Sequence, residues 1–108
     1  MPGDDKFVDC HIGGRPYRMG FDFNVLVDAE KATGENLLEG AARLGAGSSG
    51  GQLRGLVYAV LKPHNPRVTL EEAGGLLTKD MPAVMDSLAA LFGEEKPAPA
   101  ALEESANA

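Results

Sequence analysis

Hydrophobic and polar positions alternate with period two at the start of the chain and with a helical period nearly everywhere after it. Residues 6 to 21, "KFVDCHIGGRPYRMGF", predict a β-hairpin. Gly13-Gly14 suits a two-residue turn that needs positive φ at both central positions. That turn sets Ile12 opposite Arg15, Cys10 opposite Tyr17 and Val8 opposite Met19, all on one face, which Phe21 continues. The same register sets Asp9 opposite Arg18 on the other face, a favourable cross-strand charge pair. Burial and charge therefore agree on one pairing.

The pattern then changes to helical spacing. Asp22 is placed to N-cap a helix starting near Phe23, with Val25, Leu26, Ala29 and Ala32 as its stripe. Gly34 stands where a left-handed residue ends a helix. Glu35 to Leu44 repeats the pattern with Leu37, Leu38, Ala41 and Leu44, and Glu39 and Arg43 form an i,i+4 pair outside it. "GAGSSGG", residues 45 to 51, reads as a flexible loop. Residues 52 to 61 predict a third helix, with Leu53, Leu56, Val57, Val60 and Leu61 on one side, ended by the prolines of "KPHNPRV". Thr69 and Glu72 form a capping box before a short helix that buries Leu70, Ala73, Leu76 and Leu77. Asp80 caps the last helix, Pro82 fits its first turn, and Gly93 ends it. Its stripe is Met81, Val84, Met85, Leu88, Leu91 and Phe92.

The fold class expected is α+β: an N-terminal hairpin packed on a small bundle of four to five helices. The 108 residues suit one domain, set at 6–93. Residues 1–5 are expected to be a flexible N-terminus. Residues 94–108, "EEKPAPAALEESANA", have Leu102 as their single large apolar residue and predict a disordered acidic tail. With no Trp and 6% aromatics, the core must be built from Leu, Val, Ala and Met.

The net charge is −6, half of it from the four Glu and one Lys of 94–108. A body this mildly acidic lacks the basic footprint of a nucleic-acid binder and the polybasic patch of a membrane-surface protein. One cysteine excludes an internal disulfide and suits a reducing compartment. No apolar h-region or membrane-length run is present, so a cytoplasmic protein is expected.

Chemistry is sparse. Cys10 and His11 are adjacent in a strand and point to opposite faces, so they do not share a metal. His64 lies in the proline-rich loop. With so few ligands no metal or cofactor site is expected. Ser48, Ser49 and Ser87 have no recognisable base nearby, and Cys10 with His64 is the nucleophile–base combination left open. The glycine loop lacks the Lys of a P-loop, since Gln52-Leu53 follows Gly51. No catalytic residue is assigned and a non-enzyme is expected. "RVTLEEAGGLLTKDMPAVMDSLAALF" looks like a degenerate helix-turn-helix. Its last helix has no Arg or Lys to meet phosphates, so that regulator remains the alternative, with an enzyme whose site forms only in an oligomer behind it. Met81 and Met85 lie one turn apart beside Leu88 and Phe92. Such a stripe either fills a core or forms an adaptable partner-binding surface. Those four residues are the partner-binding candidates.

The element order and two motifs resemble the tail assembly chaperones of siphophage-type tails, especially those found with gene transfer agents and related prophages. One motif is Phe23, Asn24, Leu26, Ala29, Glu30, Thr33, Gly34 and Leu37; the other is the "P-VTLEEAG-L" segment. The resemblance covers about residues 6 to 93. It implies a non-enzymatic factor that binds the helical tape-measure protein, keeps it soluble and helps tail-tube subunits polymerise around it. It leaves homo-oligomerisation open.

Overall fold

The computed structural model describes residues 7–44 and 47–92. Strands β1 (Phe7–Ile12) and β2 (Arg15–Gly20) form an antiparallel hairpin. Five helices follow: α1 (Phe23–Thr33), α2 (Leu37–Ala42), α3 (Gly50–Leu61), α4 (Leu70–Lys79) and α5 (Met81–Leu91). The architecture is α+β as expected. The expected terminal segments 1–5 and 94–108 and the Gly93 helix stop lie outside the described residues.

The hairpin has the predicted register, with Val8 on Met19, Asp9 on Arg18, Cys10 on Tyr17 and Ile12 on Arg15. Gly13 and Gly14 both take positive φ, 60° and 81°. Cys10, Ile12 and Met19 are buried on the inner face. Phe21 departs from the expectation: it is 43% exposed, because β2 stops at Gly20 and Asp22 turns the chain into α1. On the outer face the Arg18 guanidinium donates two bonds to Asp9, at 2.9 and 3.2 Å, and lies 4.0 Å from the centre of the Phe7 ring.

Each helix begins where a side chain satisfies its free N–H groups. Asp22 accepts from the N–H groups of Asn24 and Val25. Gly34 ends α1 in the left-handed conformation at φ 75°, its N–H donating to the Glu30 carbonyl. Helix α2 is shorter than the pattern predicts: Asn36 caps it by accepting from the Glu39 N–H, and it ends at Ala42. Leu38, on that shorter helix, is 52% exposed; a position one residue past Leu37 is rotated about 100° off its face. Ala32 is likewise exposed and Leu70 half-buried.

Helix α3 begins earlier than expected. Ser49 and Gln52 form a capping box, so Gly50 and Gly51 of the supposed loop are its first turn. The Gln52 amide also donates to the Asn36 carbonyl at 3.1 Å, tying α3 to α2. The centre of the domain is α3, which meets every other helix and β2. Its Gly55, Leu56, Val57, Ala59, Val60 and Leu61 are all buried, more than one stripe. Helix α5 packs on β1, where the Cys10 thiol lies 3.5 Å from the Ala83 carbonyl. The capping box at Thr69 and the cap at Asp80 stand as the sequence predicts.

Candidate functional site

Two open surfaces flank the core, and they differ in chemistry. The first runs along α5. Of the four sequence-selected residues, Met81 is 48% exposed, and Met85 and Phe92 are half-buried and pack against the core from its edge. Leu88 is fully buried beside Val84. It therefore supports the stripe from below and offers a partner no surface of its own. The 81–85–92 flank gains a residue that helical periodicity does not select: Phe21 meets Phe92 edge-to-face, ring centres 5.3 Å apart. The aromatic pair closes the end of α5 onto the open end of the hairpin.

The second surface is a groove of about 590 Å³ between β2 and α4. Its floor is apolar: Leu61, Val68 and Leu76, with the Tyr17 ring at one side. Three exposed cations border it. Arg67 precedes the N-terminal end of α4, while Lys79 ends α4 beside Gly13 and Arg15 follows the hairpin turn. Arg15 leans over the Tyr17 ring, 5.3 Å from its centre. Among the described residues none of the three pairs with an acid. The groove's acid, Glu72, is engaged by the Thr69 N–H in the capping box. The sequence did not single out this groove, although its P-VTLEEAG-L segment supplies Pro66, Val68, Glu72 and Leu76: the opposite wall, Arg15 and Tyr17 of β2, lies more than 40 residues away in the chain.

A resolved shift falls on Asp9, held below the usual carboxylate value by its hydrogen bond to Arg18, and on Arg18, raised by the same bond. Cys10 and His64 are not brought together: the thiol is buried on the inner face, and the His64 ring meets Phe7 on the outer face, 6.1 Å between centres. Ser49 is a helix cap, and Ser87 donates to the Ala83 carbonyl within α5. Among the described residues no group of three or more His, Cys, Asp or Glu is placed to hold a metal. None of the described helices is long and apolar enough to cross a membrane. Helix α5, the recognition helix of a helix-turn-helix reading, reads MPAVMDSLAAL and carries no cation.

The fold and surfaces define a small hairpin-and-helix domain with an apolar flank and a cation-bordered groove. Comparison with protein families, with curated proteins and with solved structures yields no match.

Proposed function

We propose that this protein is a non-enzymatic tail assembly chaperone of a phage-like particle or gene transfer agent, acting in the cytoplasm. It binds the tape-measure protein and aids assembly of tail-tube subunits around it. The observation that carries the reading is the apolar flank of α5, where Met81, Met85 and Phe92 extend onto Phe21 outside a core already closed by Val84, Leu88 and Leu91. Exposed apolar side chains on one flank suit binding of other proteins, and methionine adapts to varied apolar partners. A long helical client with a repeating apolar face needs such a surface to stay soluble. The resemblance of residues 6 to 93 to tail assembly chaperones supplies the identity of the client.

The test is co-expression with the tape-measure protein encoded beside this chain, followed by co-purification. The two are expected to co-purify, and Met81→Glu is expected to leave the melting temperature nearly unchanged while weakening the complex. A soluble tape-measure protein that never accompanies this chain would sink the reading.

A further inference from the structure

We infer that the β2–α4 groove is a docking site for an acidic amphipathic helix, whose apolar face enters the groove while its carboxylates meet Arg15, Arg67 and Lys79. The inference rests on the reading that this chain binds helical proteins, and adds a binding surface and a charge preference distinct from the α5 flank.

Three observations select this occupant. The first is charge. The protein is acidic as a whole, at −6, yet this groove gathers three exposed cations against one acid, Glu72. Opposite charges around an apolar floor favour a partner with carboxylates flanking an apolar stripe. A nucleic acid would meet the same cations, but the apolar floor gives its phosphates nothing and the net charge repels it.

The second is the shape of α4. Glu72, Gly75, Leu76 and Lys79 line the groove at spacing i, i+3, i+4 and i+7, one face of a helix. At the middle of that face Gly75 is exposed, and a Cβ added there would meet nothing within 4 Å. A glycine inside a helix costs stability relative to alanine, and at a contact it lets another backbone come close. The face spans about 10 Å, two turns, so it matches two to three turns of a docking helix.

The third is the edge of β2, which is unsuited to adding a strand. Pro16 has no N–H to donate, and the Arg18 carbonyl already accepts from the Asn65 amide at 2.9 Å. An extended peptide would find two of its backbone partners missing. A helix satisfies its own backbone and needs neither.

The experiment titrates the ¹⁵N-labelled full chain with three synthetic helical peptides of about 15 residues, long enough for roughly four turns. They share one leucine face and carry Glu, Gln or Lys beside it. The Glu peptide is expected to bind best, to move the backbone signals of Arg15, Arg67, Leu76 and Lys79, and to weaken as salt rises. Lys79→Glu is expected to weaken it about fivefold or more, the equivalent of about 1 kcal/mol. Gly75→Leu, which fills the face sterically, is expected to abolish binding with the fold intact. Equal binding of the Lys peptide, shifts confined to Met81, Met85 and Phe92, or indifference to Gly75→Leu would each overturn the inference. So would tighter binding of a DNA duplex at the same residues. Groove signals that move in the free protein with concentration, or on Glu103→Gln with Glu104→Gln, would give the groove to a second copy or to the chain's own tail and overturn it as well. The two proposals fail separately. A tape-measure protein that binds only through α5 removes this one, and a Glu peptide that docks here without any tape-measure complex removes the other.

Discussion

Two glycines inside helices mark opposite fates of the central layer. Gly55 of α3 lies under α2, and a Cβ there would come within 2.6 Å of the Leu37 Cδ2. Leu37 is fully buried, so its side chain would have to shift within the core to admit a methyl. Gly75 of α4 looks into the groove, where a Cβ would touch nothing. The absence of a side chain is used up by packing at the first and left open at the second. Glycine in a helix therefore signals a close approach only once its neighbour is known. Where no neighbour exists, as at Gly75, the helix face is left open to solvent.

The comparison can be broken most strongly at Gly55. Gly55→Ala is expected to destabilise by about 1–3 kcal/mol despite alanine's better helix propensity, because the added methyl overpacks a closed contact. Chemical denaturation measures it, and a neutral result would mean that α2 is not seated on α3. Gly34→Ala separates packing from backbone conformation. Its Cβ meets nothing either, but its φ of 75° disfavours any side chain. A loss of about 1 kcal/mol is expected from the backbone alone. Gly75→Ala, with open space and helical backbone, should do the reverse. It is expected to stabilise by about 0.5–1 kcal/mol and to weaken docking of the Glu-flanked peptide. A destabilised Gly75→Ala would show that the groove is already filled.

The smallest expected effect lies on the outer face of the hairpin. Asp9 is held below its ordinary value of 3.8 by Arg18, so the pair supports the fold above that value and loses its contribution as pH falls through the lowered one. The pair is exposed to solvent, so its worth is small. Asp9→Asn is therefore expected to lower the melting temperature slightly at neutral pH. The difference from the parent should vanish in acid, as followed by circular dichroism.

The same contrast explains which parts were legible in the sequence. The hairpin register follows from Gly13-Gly14 and the Asp9–Arg18 pair, because turn geometry and cross-strand charge act between near neighbours. The helix starts at Asp22, Thr69 and Asp80 and the stop at Gly34 follow from local caps for the same reason. The Ser49–Gln52 box was equally local but hidden, since Gly50 and Gly51 read as loop until α2 lies against α3. Helical periodicity selected Met81, Met85, Leu88 and Phe92 as one set, yet it could not tell the buried Leu88 from the exposed Met81. That division depends on where β1 lies against α5.

The sequence by itself determined the order of the elements, the caps at Asp22, Thr69 and Asp80, the stop at Gly34 and the hairpin pairing, all of which rest on interactions within a few residues along the chain or across one tight turn. Only the tertiary structure decided which side of each helix is left open. Arg15, Arg67 and Lys79 come together around Leu61 and Leu76 because α3 holds β2 and α4 on a common centre. A groove is the space between elements: the period of α4 gives one wall, but only the packing of β2 opposite it makes that wall a groove.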